Sequence, residues 1–354
     1  MPHNKVCLVI PSIRENCFQD FVDRWAGNDG LFHHVDVMLM EDNPTKTFNA
    51  RITTHHYSWE DIDAELGDDS WIIPRRSDTV RSYGYLKAYE FGYEYILTLD
   101  DDCYPPTHDV DGLDCDGPTL VNTHLKYLNG RTKWFNTLNS VKPRGIPFYN
   151  LGRNTDVIVN HGLWTNVLDY DAPYQLANPV PEEFSYDNRI VPAGSYFPMC
   201  GMNVMWRREA TVLMYHMLMG QVMTWDQSFE GPELVRLPFD RFGDIWCGIF
   251  MKKIADMFGK QVSSGMPYIR HERASNPFTN LKKEANGIEV NEKLWEYVDR
   301  FRMPVHVDNV NFAYAYSCLG AYIGEYNDFP EYRDYFRKLG AAMQIWASKF
   351  GGVR

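Results

Sequence analysis

The stretch YILTLDDDC, residues 95–103, places five mostly apolar residues directly before three consecutive aspartates. The apolar run predicts a strand that is buried on both faces. Three adjacent carboxylates repel one another, and a hard divalent cation relieves that repulsion. Alternate residues leaving a strand point to the same side, so Asp100 and Asp102 are predicted to bind Mn²⁺ or Mg²⁺ while Asp101 faces the other way. The alternative is a solvated acidic turn, but the position after a buried strand favours the metal site.

This stretch closes a series of short apolar runs that are spaced like strand-helix-strand units. The runs are residues 6–10, 35–40, 71–73 and 95–99. Few polar residues interrupt them, as expected for strands covered on both faces. We therefore predict an α/β fold with a Rossmann-like, mostly parallel sheet and flanking helices.

Polar residues directly follow three of these runs. They occupy 11–14, which ends at Arg14, then 41–44, which includes Asp42, and finally 100–102. Ligands bind beyond the carboxyl ends of the strands in an open parallel sheet. The three clusters are thus expected to line one crevice.

Helical periodicity predicts three helices of note. One covers residues 79–91, with Ser77 or Asp78 placed to cap its first turn, and a second begins at Asp244. The third lies in the tail, where one apolar stripe comprises Tyr332, Phe336, Leu339, Met343, Trp346 and Phe350. The stripe packs on the main domain or on a second subunit, and the second case would give a homo-oligomer through the C-terminal helix. Residues 103–240 have weak periodicity, which predicts loops and a few irregular strands around a substrate pocket.

Composition and charge argue against several classes of protein. The chain has 354 residues, 44% of them hydrophobic, which is enough for a sizeable core. A net charge of −12 repels nucleic acid and anionic membrane surfaces, so we expect neither as a partner. Seven cysteines include no C-x-x-C pair, and no stretch approaches the ~20 apolar residues of a membrane span. Without a predicted signal peptide, we expect a reduced, cytoplasmic protein.

Several longer motifs, in their order and spacing, resemble those of one family. They are VIPSIR (9–14), LDDDC (99–103), HGLW (161–164), DYDAP (169–173), FPMCGMN (197–203), GDIW (243–246) and PYIRHERASNPFTNLKKE (267–284). Over residues 5–290 the sequence is similar to the reversibly glycosylated polypeptides, best known in plants as UDP-arabinopyranose mutases. The resemblance implies a glycosyltransferase-A type fold, a UDP-sugar substrate, a required Mn²⁺ or Mg²⁺ ion and self-glycosylation. It also suggests a catalytic domain at 1–300 that binds a nucleotide sugar, and a C-terminal helical segment at 301–354.

The resemblance implies roles at the metal and the diphosphate. Asp100, Asp101 and Asp102 match the family's metal and diphosphate motif, with Asp101 assigned to the nucleotide sugar. His271 would complete the metal site, and its alternative is a structural, hydrogen-bonded imidazole. Arg144 matches the arginine of self-glycosylation. Because a guanidinium stays protonated near neutral pH, we interpret Arg144 as a catalytic cation that stabilises the leaving diphosphate.

Further matches concern the nucleotide sugar, which Arg14, Asp42, Asp78 and Arg81 are expected to bind. Asp42 would accept hydrogen bonds from uracil or ribose, and its alternative is an ordinary turn aspartate. Arg81 would add a phosphate-binding cation beside a helix N-terminus, whereas Asp78 has the alternative of capping that helix. Asp244 either caps its helix or faces the sugar as a catalytic carboxylate, and we predict the second role.

The reaction that the resemblance implies interconverts UDP-arabinopyranose and UDP-arabinofuranose. In this hypothesis the bond from C1 to UDP breaks, the pentose reopens and recloses with the other ring size, and UDP adds again, all shielded from water. One alternative is a metal-dependent glycosyltransferase that passes the sugar to an external acceptor. Another is a self-glycosylated scaffold protein that binds nucleotide sugar without catalysis.

Overall fold

A nine-stranded sheet forms the centre of the protein. The structure is a computed structural model and describes residues 2–27, 30–130, 144, 156–167, 169–177, 188–224, 233–272, 276–304 and 310–351. Within these ranges the strands are β1 (Val6–Ser12), β2 (Asp36–Glu41), β3 (His55–Tyr57), β4 (Tyr95–Leu99), β5 (Cys103–Tyr104), β6 (Val157–Asn166), β7 (Arg189–Ile190), β8 (Asn203–Arg207), β9 (Gln221–Thr224), β10 (Glu233–Arg236) and β11 (Gln261–His271). The large sheet has the order β3-β2-β1-β4-β8-β6-β11-β5, with β7 beside β11, and β9 pairs with β10 separately.

Most strands of the described sheet run in one direction. β3, β2, β1 and β4 are parallel neighbours, and β6 is parallel to β11. β8 lies antiparallel between β4 and β6, so β4 and β6 point the same way. The short strands β5 and β7 are antiparallel to β11. The predicted α/β fold with a mostly parallel sheet is confirmed, and the carboxyl ends of its longer strands meet at one edge.

Helices pack on both faces of this sheet. In the described residues they are α1 (Glu15–Trp25), α2 (Trp59–Leu66), α3 (Arg81–Phe91), α4 (His108–Asp111), α5 (Gly117–Leu128), α6 (Ala172–Ala177), α7 (Gly243–Met257), α8 (Pro277–Arg300), α9 (Phe312–Ile323) and α10 (Arg333–Ser348). Helix α3 lies directly on β1 and β2, where a Cβ at Gly84 would come within 2.6 Å of Val9 Cγ1 and 3.0 Å of Met40 Cγ. Glycine at this position therefore lets α3 approach the sheet and brings its first turn to the edge that carries the site.

Three of the four predicted strands are present as β1, β2 and β4. The prediction of a strand at 71–73 is wrong, because residues 67–72 form a 3₁₀ helix. Ile72 and Ile73 are buried in the core without pairing in the sheet, so their apolar character has another cause. The parallel strand that lies beside β2 is instead β3, a half-buried strand in which His55 lies opposite Met38 of β2. Residues 103–240 also hold more regular structure than predicted, including the ten-residue strand β6.

The predicted helices are found with small changes at their ends. A 3₁₀ turn at Asp78–Val80 precedes α3, and Ser77 Oγ accepts a hydrogen bond from Thr79 N at 3.3 Å. Helix α7 begins at Gly243, one residue before the predicted start. At Gly243 a Cβ would lie 2.6 Å from the carbonyl oxygen of His216. Glycine therefore allows the first turn of α7 to sit close to the polar end of the sheet.

The C-terminal helical segment, α9 and α10, packs on the chain's own core. The tail stripe is mostly buried, and Trp346 Nε1 donates to the carbonyl oxygen of Val212 at 2.8 Å. Its ring stacks on Tyr215, with 5.2 Å between ring centroids. This removes the reason to expect a homo-oligomer through that stripe, and the domain boundary at residue 300 stays a prediction. Among the described helices none combines the length and the apolar character needed to cross a membrane.

Candidate active site

The three aspartates after β4 form a turn at the carboxyl edge of the sheet, and their side chains go to three different neighbours. Asp100 Oδ1 accepts from Arg81 Nη2 at 2.5 Å, on the side of α3. Asp101 Oδ2 accepts from Ser12 Oγ at 2.6 Å, at the end of β1. Asp102 Oδ1 lies 3.7 Å from His271 Nε2, at the end of β11. The turn thus connects three separate elements of the sheet edge.

Arg81 is a buried partner of the acidic turn, with 3% of its side chain exposed. Besides Asp100, its guanidinium donates to Thr98 Oγ1 at 3.2 Å and to the carbonyl oxygens of Gly201 at 2.7 Å and Asp78 at 3.1 Å. These bonds point its donors into the protein. They also orient Asp100, and the phosphate-binding role of Arg81 stays a prediction.

Asp101 is buried beside β1. Its burial, reinforced by the charges of Asp102 and Asp100, raises its pKa to about 7, although the hydrogen bond from Ser12 opposes this. Arg14, just after β1, is exposed, and its backbone N–H donates to Ser12 Oγ at 3.4 Å. The VIPSIR and DDD segments, far apart in the sequence, are therefore in contact through Ser12.

His271 is fixed by a hydrogen bond, as both its predicted metal role and the alternative of a structural imidazole require. Its Nδ1–H donates to the carbonyl oxygen of Val167 at 2.9 Å, which turns Nε2 towards Asp102. Burial lowers the pKa of His271, but the hydrogen bond and charge of Asp102 outweigh it and raise the pKa overall. Asp102 and His271 are both largely buried. The structure therefore brings His271 to the acidic turn from 169 positions further along the chain.

Asp42 lies at the end of β2, on the other side of the acidic turn. Its Oδ1 accepts from Trp59 Nε1 at 2.7 Å and from the backbone N–H of Arg76 at 3.1 Å. The Arg76 guanidinium lies over the Trp59 ring, 4.9 Å from its centroid. Burial raises the pKa of Asp42. This carboxylate already organises a loop and an aromatic ring at the place where the sequence predicts nucleoside binding.

Asp78 is paired with a fully buried histidine. His216 Nδ1–H donates to Asp78 Oδ2 at 2.9 Å. Burial acts to raise the pKa of Asp78, but the hydrogen bond and charge of His216 outweigh it and lower the pKa. Asp78 therefore stays ionised at the first turn of the α3 segment. The cap that closes that turn is Ser77, and 30% of the Asp78 side chain is exposed.

Asp244 stands in the first turn of α7, close to two groups that the sequence analysis did not select. Ligand atoms of Asp169, Cys200 and Asp244 lie within 4.8 Å of one another. Asp244 Oδ2 accepts from Gly201 N–H at 3.0 Å, while burial and then the charges of Asp78 and Asp169 raise its pKa to about 7. The group of three candidate ligand atoms gathered here is not the predicted set of Asp100, Asp102 and His271. Asp169 and Cys200 belong to the DYDAP and FPMCGMN motifs, which were the available signal for them.

An ion pair, also missed at first, supports this second group. Arg241 Nε donates to Glu284 Oε1 at 2.7 Å, and Glu284 Oε2 accepts from Ala172 N–H at 2.8 Å. Glu284 ends the long PYIRHERASNPFTNLKKE motif and is buried. Arg241 belongs to none of the motifs, and its position just before GDIW was the available sequence signal for it.

Arg144 is an exposed turn residue. The segments on either side of it, 131–143 and 145–155, lie outside the described residues. Its assigned contact with the diphosphate stays a prediction, as do the individual roles assigned to the other site residues.

The fold and the site define an α/β protein in which carboxylates gather at the carboxyl ends of parallel strands. A family model described as "Reversibly glycosylated polypeptide" matches residues 1–354, and the chain belongs to this family. Relatives include UDP-arabinopyranose mutase 1 of Oryza sativa subsp. japonica, 32% identical over 96% of this chain and 88% of the relative. UDP-arabinopyranose mutase 3 of Arabidopsis thaliana is 32% identical over 89% of this chain and 83% of the relative. These names denote enzymes, and the prediction of an enzyme is confirmed.

Solved structures show more distant similarity. Glucosyl-3-phosphoglycerate synthase from Mycobacterium tuberculosis, in complex with Mn²⁺, UDP and glucosyl-3-phosphoglycerate, has a TM-score of 0.43 and 12% identity over 83% of this chain and 80% of that chain. A mannosyltransferase from Pyrobaculum calidifontis, in complex with GDP-Man and Mn²⁺, has a TM-score of 0.35 and 13% identity over 98% of this chain and 88% of that chain. At these scores neither structure informs the geometry of the cleft.

Proposed function

We propose that the chain is a UDP-arabinopyranose mutase, an isomerase that interconverts the pyranose and furanose forms of a UDP-pentose. The observation that carries this proposal is 32% identity, over 96% of the chain, to proteins of that name. The similarity extends over nearly the whole chain. The convergence of several carboxylates at the sheet edge supports the proposal, because such groups bind hydroxyls and cations.

We place the UDP diphosphate at the acidic turn, where the residues fit a divalent cation. The donor set is a carboxylate of Asp102 facing an imidazole nitrogen of His271 whose other nitrogen is fixed by a carbonyl. Asp100 adds its second oxygen, since Arg81 holds Oδ1. Bound Mn²⁺ or Mg²⁺ would neutralise the diphosphate and stabilise it as a leaving group.

The proposed reaction balances within one substrate. The bond from C1 to the UDP oxygen breaks and its electron pair goes to the diphosphate. O4 then forms a bond to C1, the C1–O5 bond breaks with its electron pair going to O5, and a diphosphate oxygen forms its bond to C1 again. One proton has to leave the O4 hydroxyl, and one has to reach O5. Asp244, a half-buried carboxyl group with a pKa raised to about 7, is suited to exchange protons with these oxygens at neutral pH.

The remaining assigned residues surround this reaction. Arg14, Asp42, Asp78 and Asp101 are proposed contacts of the UDP-sugar. Arg144 is proposed to stabilise the negative charge of the departing diphosphate, as a permanently protonated group can.

The test is an incubation of the purified chain with Mn²⁺ and UDP-arabinopyranose, without any acceptor. We expect UDP-arabinofuranose as the product, and the same final mixture when the reaction starts from the furanose. Asp102→Asn should lower the rate at least about 100-fold, because it removes a charged ligand of the cation. The matched control is Asp23→Asn, an exposed position on α1, which should keep full activity. Failure of the unmodified chain to form either isomer would refute the mutase assignment.

The same assay separates the alternatives. A product that forms only after an external acceptor is added would identify a glycosyltransferase. A scaffold protein would show no turnover with or without acceptor. In that case Asp100→Ala and Asp102→Ala would preserve cellular function, while Phe336→Asp in the buried face of α10 would abolish it.

A further inference from the structure

Arg241 is a cation of the cleft whose terminal donors point to no protein acceptor in the described part of the chain. Its backbone φ is 66°, a conformation that residues other than glycine rarely adopt. Nε donates to Glu284, and 32% of the side chain is exposed. The nitrogens Nη1 and Nη2 thus keep their hydrogens for a ligand, while Nε anchors the group.

The anchor is a buried carboxylate that fixes two segments at once. Glu284 projects from α8, accepts from Arg241 with one oxygen, and accepts with the other from Ala172 at the start of α6. The segment that leads into α6 carries Asp169, and the helix that follows Arg241 carries Asp244. Charge-assisted bonds to both oxygens hold Glu284 in one geometry. Glu284 therefore links Arg241 to the start of α6, next to the segment that carries Asp169.

The surroundings of Arg241 are strongly negative. The charges of Asp169 and Asp244 contribute to raising the pKa of Arg241, and the charge of Arg241 contributes to lowering the pKa of Asp78. A diphosphate would meet repulsion from these carboxylates. Uncharged hydroxyl groups would not, because they donate to carboxylates and accept from a guanidinium.

We infer that Arg241, with Asp169 and Asp244, forms the subsite that binds the hydroxyl groups of the sugar, and that Glu284 positions it. The inference deepens the proposed function and rests on it, since the ligand is the pentose of a UDP-pentose. It also assigns separate places to the two halves of the substrate: the diphosphate to the acidic turn and the sugar to this subsite.

Calorimetry with UDP and with UDP-arabinopyranose, both in Mn²⁺, tests the inference. Arg241→Lys keeps the charge but loses the planar fork, so we expect UDP-arabinopyranose to bind about tenfold more weakly or worse. UDP lacks the arabinose, and its Kd should stay within about twofold of the unmodified value. Arg236→Lys on β10, where the side chain is 65% exposed, is the matched control and should change neither Kd.

Glu284→Gln keeps the shape of the anchor and removes its charge. We expect it to weaken UDP-arabinopyranose binding while UDP binding stays unchanged, a selectivity that a general loss of structure would not produce. Equal binding of both ligands by Arg241→Lys and the unmodified chain would overturn the inference. A parallel loss of UDP and UDP-arabinopyranose would also overturn it, because that places Arg241 at the diphosphate. If the unmodified chain binds UDP-arabinopyranose no more tightly in Mn²⁺ than without it, the proposed function fails instead.

Discussion

Replacing Arg81 by methionine is expected to destabilise the protein and to disorganise the acidic turn. The guanidinium is 3% exposed and makes four hydrogen bonds, to Asp100, Thr98, Gly201 and the carbonyl of Asp78. Methionine fills similar space but leaves these acceptors without a donor. Breaking a buried ion pair by removing one partner costs about 3–5 kcal/mol. Because 30% of the Asp100 side chain is exposed and can be hydrated, we take the lower end, about 3 kcal/mol.

The assay is urea unfolding followed by circular dichroism at pH 7, with Mn²⁺-dependent UDP binding as a second measurement. The control Arg337→Met, at a side chain that is 63% exposed, should change the free energy of unfolding by less than about 0.5 kcal/mol. Arg81→Met combined with Asp100→Asn should cost less than the sum of the two single changes, since the two side chains share one interaction. A loss below about 1 kcal/mol for Arg81→Met would refute the described burial and bonding.

Three further predictions follow from buried groups. Burial, with the charge of His124 adding to it for His161, lowers the pKa of His124 to about 4 and of His161 to about 3, from an ordinary 6.5. Below pH 6.5 the unfolded chain therefore binds protons at these histidines that the folded chain does not bind. In urea unfolding, the free energy of unfolding should decrease by about 1.4 kcal/mol for each histidine and each pH unit as the pH is lowered. His161→Gln should reduce that slope. Dialysis against EDTA should abolish cation-dependent binding of UDP, and His271→Gln should weaken it about tenfold or more in calorimetry, whereas unchanged binding would exclude His271 as a ligand. Trp346→Ala should cost about 3–5 kcal/mol in urea unfolding because the ring is fully buried, against less than about 1 kcal/mol for Trp295→Ala, which is 40% exposed.

The strands that could be predicted from the sequence are those whose burial comes from the sheet itself. β1, β2 and β4 are central, covered on both faces, and their apolar runs match the structure closely. β3 lies at the edge with half-buried residues, so its HHY sequence carries no apolar signal. Residues 71–73 gave a misleading signal because a core under α10 buries apolar side chains as well as a sheet does. An apolar run predicts that its residues are buried, but only some of the buried residues lie in the sheet.

The antiparallel strand β8 shows a second limit. It enters the sheet between β4 and β6, two strands that are distant from it in the sequence, and its register pairs Leu99 with Asn203. No local sequence pattern determines between which two strands a third will pair, because the strand order depends on all of the long-range pairings. The consequence for the site is direct. β8 brings Gly201 and Cys200 beside the acidic turn, where Gly201 binds both Arg81 and Asp244.

The candidate site divides in a similar way. The acidic turn was visible because three adjacent carboxylates after a buried strand are costly without a partner. The role of Glu284 could not be predicted, because the local sequence NLKKE is typical of a solvated helix face. Only the tertiary structure shows that Glu284 is buried against Arg241. A charged residue in a helix has the same local sequence whether it faces water or holds a loop, so its function is set by what the fold places opposite it.

A mutase has a requirement that a glycosyltransferase lacks, and the proposed sugar subsite is suited to it. After the C1–O bond breaks, a transferase passes the sugar on, whereas a mutase has to keep the same pentose until UDP adds again. Contacts made only through the diphosphate vanish at that moment, because the bond that joins the two halves is open. Under the proposed function, a sugar subsite that Glu284 anchors, independently of the contacts to the diphosphate, would hold the pentose in place while the ring size changes. Glu284→Gln should therefore increase the fraction of free arabinose released per turnover while the affinity for UDP stays unchanged.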